Sequence, residues 1–324
     1  MAKYVSLPIL VEPTVGGWIT YTAHLAQGLI NAGYTPIIMR IGKRTLRGTK
    51  SFSGSIQYIN TTLEDALRFS DGIPTIVTAV DAKNRQNLQP FLDRGASLVI
   101  HDPTEFDKDF IAELQGADII TIRQTISDKL AELGLANRYT PHPYHRADPD
   151  NTPKHHGAIA LSRIDWDKRT EIIVAANTLL PDDKQILIYG KLNSQYEFHK
   201  LKPIDENWRR NYVGNWSPKA PLSYPVQLAR RATQVIDLSI IQGDGGGTQY
   251  SFLEAFDAET PLTIHKRWLT GNPKYDEIAQ ACIAIGSPEE LAEQIQNPQI
   301  PDTDLVHEIL ANHEATQIAK LTLG

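Results

Sequence analysis

The sequence predicts an α/β protein built from two Rossmann-like domains. Three observations lead to this fold class. Short runs rich in Val and Ile alternate with helical patterns, one proline-rich segment interrupts the alternation, and the 324 residues exceed what a single hydrophobic core usually serves. Strands that alternate with helices at such intervals pair in parallel, with helices on both faces of the sheet. We therefore expect one parallel sheet in each half of the chain.

The first half contains five runs with the composition of buried strands. They cover residues 4–11, 35–41, 74–80, 97–102 and 118–123. Between the first two runs, apolar residues recur at helical spacing from Ile19 to Ile30, and Gly33 provides a C-terminal stop. The chain therefore starts with a predicted strand, helix and strand.

The pattern breaks at residues 140–156, which carry four prolines and no periodicity, and we interpret this segment as a linker. Beyond it, strands are predicted at 157–164, 185–192, 211–216, 233–240 and 260–266, and helices at 169–180, 225–232 and 250–258. We expect an N-terminal domain over 1–148 and a C-terminal domain over 156–304. The last helical stretch, 305–324, is expected to pack back on the first domain.

Charge and composition limit the class of protein. The net charge of −6 argues against nonspecific coating of nucleic acid, because that affinity comes largely from Lys and Arg that neutralise phosphates, although a local basic groove stays open. A single cysteine, Cys282, excludes an internal disulfide and suits a reducing compartment. The sequence contains no run of about 20 apolar residues, which is the length needed to span a bilayer. We expect a soluble, cytoplasmic protein, either a monomer or a homodimer.

Glycines cluster at residues 243–247, between a predicted strand and a predicted helix. Glycine lets the backbone approach a ligand closely, and helix N-termini attract anions. The segment is thus a candidate cradle for a phosphate or a sugar. A flexible turn is the alternative, since the segment is neither a Walker A motif nor a G-x-G-x-x-G motif.

Two cations follow the first predicted strand of the second half. Arg163 and Lys168 would lie at the same sheet edge as the glycine segment if the strands are parallel. Arg offers a planar fork and Lys a point charge, so together they suit a diphosphate. Ordinary surface charge is the alternative interpretation.

Taken in order, these motifs resemble those of GT-B glycosyltransferases, in particular the large retaining group related to glycogen and sucrose synthases. The matching text is SRIDWDKR, ILIYG, YVGNW and LSIIQGDGGGTQYSFLEAFDAETPL in the second half, and GGW, VIHD and PHPYHR in the first. The resemblance spans nearly the whole chain, and its specificity lies in the order of the motifs. It implies two domains that face a cleft, with a nucleotide-sugar donor on the second and the acceptor on the first.

The resemblance assigns a role to each matching residue. Arg163 and Lys168 would hold the donor diphosphate and neutralise the leaving group, and Glu254 would hold the ribose. His101 would touch the donor sugar. The leaving phosphate is the usual base for the acceptor proton, with His101 and Asp102 as alternatives. Further donor contacts would come from Gly16, Gly17, Gly245, Gly246, Gly247 and Thr248.

One position departs from the family pattern. The first of the family's two paired glutamates would fall at position 246, where this chain has glycine, and Asp244 is the candidate substitute. The departure leaves the transferred sugar open. The resemblance implies no cofactor, and the donor substrate would be a UDP-sugar. We expect no metal, because the two cations take its place and the DPD at 148–150 lies in the predicted linker.

The densest basic run lies in the predicted acceptor domain. Its members are Arg40, Lys43, Arg44, Arg47 and Lys50. A solvated loop is one interpretation, and a site for a nucleic-acid backbone is the other. The compact chain and its altered glutamate pair are similar to phage-encoded glycosyltransferases that decorate hydroxymethylated pyrimidines in viral DNA. DNA is therefore a candidate acceptor.

Two other functions use the same fold and stay open at this point. A nucleotide-sugar 2-epimerase would need several acid and base side chains around the sugar. A catalytically silent nucleotide-sugar binder is suggested by the glycine at position 246.

Overall fold

In a computed structural model of the chain, the structure describes residues 3–11, 16–43, 48–53, 56–101, 108–149, 154, 156–217, 220–240 and 247–324. The chain divides into two compact units. Unit 1 comprises Met1–His145, Pro218–Leu222 and Asn312–Gly324, and unit 2 comprises Arg146–Ser217 and Ser223–Ala311.

Unit 1 contains two sheets that join into one layer. The strands are β1 (Lys3–Leu10), β2 (Tyr34–Ile41), β3 (Lys50–Ser53), β4 (Ile56–Thr61), β5 (Ile76–Val77), β6 (Ala79–Val80), β7 (Ser97–Ile100), β8 (Asp118–Thr121) and β9 (Asn137–Tyr139). Their orders are β3-β4-β2-β1-β6 and β5-β7-β8-β9. Ser6 of β1 forms a parallel bridge with Thr75, which links the two sheets. Only the β3–β4 pair among the described pairings of this unit is antiparallel.

Helices cover the unit 1 sheet. They are α1 (Gly17–Asn31), α2 (Leu63–Phe69), α3 (Gln89–Leu92), α4 (Lys108–Glu113) and α5 (Gln124–Glu132). The strand sequences are largely apolar because the strands are buried. In β1, for example, every residue from Val5 to Leu10 is buried. Each predicted strand of this half has a counterpart, and the predicted run 74–80 is divided into β5 and β6, which lie in different sheets. The β3–β4 pair, β9 and the helices α2 to α5 were not predicted.

Unit 2 is one parallel sheet of six strands. The strands are β10 (His156–Leu161), β11 (Leu187–Tyr189), β12 (Tyr212–Gly214), β13 (Ala232–Asp237), β14 (Leu262–His265) and β15 (Ile283–Ile285). Their order is β12-β11-β10-β13-β14-β15. The first strand is therefore central and the direction of winding reverses between β10 and β13. Ligands of doubly wound sheets bind at such a switch point, outside the carboxyl ends of the strands.

The helices of unit 2 lie between these strands and after them. They are α6 (Thr170–Leu179), α7 (Ser194–Tyr196), α8 (Tyr224–Arg230), α9 (Tyr250–Asp257), α10 (Pro288–Gln296) and α11 (Thr303–Asn312), and α7 runs on into a π-helical turn, Glu197–Leu201. At the end of β11, Gly190 has φ +131°, and a Cβ there would lie 1.9 Å from the carbonyl oxygen of Ser162. The ends of β10 and β11 therefore approach each other more closely than a side chain at 190 would allow.

The single predicted C-terminal helix is two helices, α11 and α12 (Ala315–Leu323). The helical run is interrupted at His313 and Glu314, where Glu314 forms a parallel bridge with Tyr144. The N–H of Tyr144 donates to the carbonyl of His313 at 2.7 Å, and that of Ala315 donates to the carbonyl of Tyr144 at 3.0 Å. The Glu314 carboxylate then caps α12. The helix α12 packs against α1 of unit 1, whereas all of α11 except Asn312 belongs to unit 2. The packing of residues 305–311 on the first domain stays a prediction.

The segment predicted as a linker contains the boundary between the units. The chain up to His145 belongs to unit 1, where the N–H of His145 donates to Nδ1 of His24 at 2.9 Å. From Arg146 on it belongs to unit 2. No helix in the described parts of the chain combines the length and apolar character needed to cross a membrane.

Candidate functional site

The loop that follows β10 is held tightly to the end of β11. The N–H of Ile164 donates to the carbonyl of Lys191 at 2.9 Å, and the N–H of Asn193 donates to the carbonyl of Ile164 at 3.0 Å. Arg169 then takes a left-handed conformation, φ 52°, immediately before α6. These contacts fix the backbone on both sides of Arg163 and Lys168.

Arg163 is half exposed and lies between two carboxylates of its own loop. Its guanidinium is 3.3 Å from Asp165 and 3.2 Å from Asp167. Asp165 also accepts a hydrogen bond of 2.9 Å from the side-chain amide of Asn193. No role for these two aspartates was predicted from the sequence. Their spacing is the signal in the sequence, because carboxylates two and four residues after an arginine can pair with it.

Lys168 reaches across to the end of the neighbouring strand β13. Its side chain is 12% exposed, and its ammonium donates to the hydroxyl of Ser239 at 2.9 Å. The ammonium also lies 3.4 Å from Asp167, and the N–H of Ile240 donates to the carbonyl of Asp167 at 2.8 Å. Because β10 and β13 are parallel neighbours, the lysine lies at the switch point of the sheet.

Asp237, the last residue of β13, organises the residues around that point. One carboxylate oxygen accepts both the N–H of Ser239, at 2.9 Å, and the hydroxyl of Ser239. The other oxygen accepts the hydroxyl of Ser251, in the first turn of α9. Asp237 and Ser239 are both buried. Sequence reasoning missed this cluster, although a buried strand that ends on an aspartate is a signal for it.

The described part of the glycine segment begins at Gly247. This residue has φ 62°, its N–H donates to the carbonyl of Tyr275 at 2.7 Å, and its carbonyl accepts the indole N–H of Trp268 at 3.1 Å. Thr248 is buried beside it. Three of the predicted donor contacts, Asp244, Gly245 and Gly246, lie outside the described residues.

Glu254 is buried in the middle of α9. Burial, together with the nearby carboxylates of Asp237 and Asp257, raises the pKa of Glu254 to about 8. Asp257 is itself paired, since it accepts a bond of 3.0 Å from Arg146 and one of 2.8 Å from the N–H of Ala147. The protonated form of Glu254 is therefore favoured at neutral pH.

The predicted site residues of unit 1 lie around the start of α1. Gly16 caps the helix with φ 121°, and a Cβ on Gly16 or Gly17 would meet no atom of the described residues within 4 Å. The Nε2 atom of His101 donates to the carbonyl of Thr78 at 2.8 Å, because a carbonyl can only accept. The imidazole also lies edge-on to the ring of Tyr21 in α1, with 4.9 Å between ring centroids. Asp102 lies outside the described residues.

The basic run is described only at its two ends. Arg40 is a partly buried residue of β2, and Lys43 and Lys50 are exposed. Arg44 and Arg47 lie outside the described residues. Within the described ranges, no group of three His, Cys, Asp or Glu side chains is arranged to hold a metal ion.

Comparison with solved structures identifies the fold as GT-B, and the predicted fold class is confirmed. An alpha-glucosyltransferase in complex with UDP and a 13-mer DNA containing an HMU base is 12% identical, over 99% of this chain and 98% of that one, with a TM-score of 0.69. HepE of Anabaena in complex with UDP is 14% identical, over 99% and 95%, with a TM-score of 0.62. The pneumococcal O-GlcNAc transferase GtfA, in complex with UDP and GlcNAc, is 9% identical, over 99% and 97%, with a TM-score of 0.65.

These similarities concern the fold. No model of a known protein family matches the sequence, and no curated protein matches it.

Proposed function

We propose that the protein is a glycosyltransferase that moves a sugar from a UDP-sugar to an acceptor hydroxyl. The observation that carries the proposal is the position of Arg163 and Lys168 in the loop after β10, with the Lys168 ammonium bonded at the end of β13. Two cations there suit a diphosphate at the switch point of a nucleotide-binding sheet. The GT-B structures of HepE, the alpha-glucosyltransferase and GtfA, each solved with UDP, support the choice of donor.

The two cations would stabilise the leaving group. When the bond between the anomeric carbon and the phosphate oxygen breaks, its electron pair passes to UDP, and the negative charge of the diphosphate increases. A guanidinium and an ammonium already in place lower the barrier, because they need no rearrangement as that charge develops. They would take the part that a divalent metal plays in other transferases.

The transfer is proposed to retain the anomeric configuration. The acceptor oxygen would form its bond to the anomeric carbon on the face that UDP leaves, and its proton would pass to the departing phosphate oxygen. No side-chain nucleophile is then required. His101 is proposed to contact the transferred sugar, Glu254 the ribose hydroxyls, and the backbone at Gly247 and Thr248 the sugar hydroxyls.

We propose further that the acceptor is DNA that carries a hydroxymethylated pyrimidine. The alpha-glucosyltransferase with HMU DNA matches 99% of this chain with a TM-score of 0.69. In unit 1, Lys43 and Lys50 are exposed, and the chain's excess of acidic residues falls in unit 2. Exposed lysines on a nearly neutral unit suit contacts to a phosphate backbone.

The donor half of the proposal is tested by thermal unfolding with nucleotides. A ligand that binds the native state raises the melting temperature by mass action. UDP is expected to raise it more than ADP, GDP or CDP at the same concentration. Incubation with UDP-glucose alone then separates the alternatives, since an epimerase changes the sugar without an acceptor, and a silent binder neither transfers the sugar nor hydrolyses the donor. Absence of stabilisation by every nucleotide would refute the proposal.

The acceptor half is tested by transfer of radiolabelled glucose from UDP-glucose to duplex DNA with and without hydroxymethyluracil. Label is expected only in the modified duplex. Binding of that duplex should weaken steeply with salt. Lys43→Glu should weaken it more than Lys184→Glu, the matched change on unit 2. Equal effects of the two changes, or no label in DNA, would refute DNA as the acceptor.

A further inference from the structure

We propose that Asp237 and Ser239 are positioning residues that hold the Lys168 ammonium ready for the distal phosphate of the donor. The inference rests on the proposed function, because it concerns the same diphosphate site. Neither residue would touch the substrate, and both would act through the lysine.

The three side chains form a continuous chain of hydrogen bonds. The Lys168 ammonium donates to Ser239 at 2.9 Å, and the Ser239 hydroxyl donates to Asp237. The N–H of Ser239 donates to the same carboxylate oxygen at 2.9 Å, which fixes the serine relative to the strand. The chain connects the loop after β10 with the end of β13.

The chemistry of the groups determines the direction of each bond. An ammonium has three donors and no acceptor, and an ionised carboxylate can only accept. The hydroxyl of Ser239 has one hydrogen, so its bond to Asp237 commits that hydrogen and turns the oxygen lone pairs towards Lys168. Asp237 therefore ensures that Lys168 contacts the lone pairs of the Ser239 oxygen and not its hydrogen. One ammonium hydrogen is used in this contact, and the Asp167 carboxylate, 3.4 Å away, would compete with phosphate oxygens for the others.

Burial protects the hydrogen bonds of Asp237 and Ser239 from competition by water. Asp237 is 2% and Ser239 1% exposed, so water competes little for their bonds. A lysine side chain has several rotatable bonds, and holding its head in one place before the donor arrives removes that ordering from the binding step.

Ser251 provides the matched control. It donates to the second oxygen of the same carboxylate, from the first turn of α9, and is not part of the path from Asp237 to Lys168. Ser251→Ala therefore removes a hydroxyl from the same cluster without removing the lysine's acceptor. A purely structural role for the cluster would make Ser239→Ala and Ser251→Ala equivalent.

Isothermal titration with UDP and UMP measures the part of binding that the distal phosphate contributes. We define the phosphate ratio as the dissociation constant of UMP divided by that of UDP. Lys168→Met is expected to lower this ratio about 10- to 100-fold, since it removes a charged hydrogen-bond partner. Ser239→Ala should lower it about 3- to 10-fold and leave UMP affinity unchanged, and Ser251→Ala should leave the ratio unchanged. In the Lys168→Met background, Ser239→Ala should have no further effect.

The following results would contradict the inference, and each shows whether the proposed function fails with it. If wild type binds UDP and Lys168→Met lowers the ratio, but Ser239→Ala behaves like Ser251→Ala, the inference fails and the proposed function stands. The inference also fails if the effects of Ser239→Ala and Lys168→Met are additive. If wild type binds neither UDP nor UMP, both proposals fail. Should Ser239→Ala not fold, Ser239→Cys keeps the shape with a weaker hydrogen-bonding group, and it must lower the ratio in the same direction.

Discussion

The guanidinium of Arg163 lies 3.2 Å from the carboxylate of Asp167. A second carboxylate, Asp165, lies 3.3 Å from the same guanidinium. The arginine proposed to hold the donor diphosphate is therefore paired with carboxylates of its own loop. In the proposed site, a nucleoside diphosphate would have to compete with two aspartates for it, and these aspartates would also repel the phosphates.

This competition predicts that Asp167→Asn tightens the binding of UDP. The change removes one competing charge beside both Arg163 and Lys168. We expect a gain of about 2- to 10-fold in affinity, because the groups are partly exposed and solvent screens their interaction. Titration of UDP at low and at physiological salt measures the gain, which should shrink as salt rises.

Asp183→Asn is the control for this prediction. It makes the same change of charge on the exposed turn that precedes β11, at the amino end of that strand. An effect on UDP affinity equal to that of Asp167→Asn would mean that only the net charge matters. Weaker binding by Asp167→Asn would mean that the aspartate orients the arginine instead of competing for it.

Removal of either cation should reduce turnover without loss of folding. Arg163→Ala and Lys168→Ala are each expected to lower kcat for sugar transfer about 100-fold or more, because each removes charge stabilisation of the leaving UDP. Steady-state rates with UDP-glucose and the acceptor measure the effect. Arg210→Ala, which removes a half-exposed arginine paired with Asp205, should keep the wild-type rate. Wild-type rates in the two cation variants would place the phosphates elsewhere.

UDP affinity is predicted to rise with pH up to about 8. Burial and the carboxylates of Asp237 and Asp257 raise the pKa of Glu254 to about 8, and Asp257 is paired with Arg146. Ribose hydroxyls donate best to an ionised carboxylate, so binding should release a proton below this pH. Titrations in buffers of different ionisation enthalpy detect that proton. Glu254→Gln should weaken binding and remove the pH dependence, and an unchanged dependence in this variant would contradict the assignment.

The same glutamate makes the stability of the unliganded protein fall as pH rises. Between its ordinary pKa of 4.5 and about 8, the unfolded chain ionises Glu254 while the folded chain keeps it protonated. The unfolded state then binds fewer protons, so the free energy of unfolding decreases through this window. The loss should reach a few kcal/mol, since one pKa unit corresponds to about 1.4 kcal/mol. Urea unfolding at pH 5 and pH 8 should show a smaller decrease for Glu254→Gln than for wild type.

Gly28→Ala should destabilise the protein, although alanine normally stabilises a helix by about 1 kcal/mol relative to glycine. A Cβ at position 28 of α1 would lie 2.2 Å from the carbonyl oxygen of Ala315, at the start of α12. We expect a loss of roughly 1–3 kcal/mol from the forced shift of α12. Gln27→Ala, one residue away on the same helix, should change the stability by less than about 0.5 kcal/mol. Stabilisation by Gly28→Ala in denaturant unfolding would show that α12 does not pack on this face.

Much of the fold could be predicted because buried parallel strands are continuous apolar runs. The strands β10 and β13 were recognisable for this reason, and their pairing placed Arg163 and Lys168 at a sheet edge. The hairpin of β3 and β4 was missed because its residues, KSFS and IQYINT, mix polar and apolar side chains. The break between α11 and α12 depends on hydrogen bonds to Tyr144, far away in sequence, which helical periodicity does not reveal.

The site was predictable only where a residue stands near the exit of a predicted strand and matches a motif. Lys168, in the loop after β10, could be assigned in that way, whereas its partner Ser239 is 71 residues distant in sequence and looks like an ordinary polar residue. The raised pKa of Glu254 likewise depends on its burial and on the Asp237 carboxylate, which the packing of α9 on β13 brings near. Such partners follow from tertiary packing and not from local pattern.

A crystal structure of the complex with UDP would show whether Arg163 and Lys168 hold the donor diphosphate. Oxygens of the distal phosphate are expected to lie within about 3.3 Å of both the Arg163 guanidinium and the Lys168 ammonium, with the ribose hydroxyls at Glu254. A bound nucleotide whose phosphates lie away from both cations would contradict this proposal.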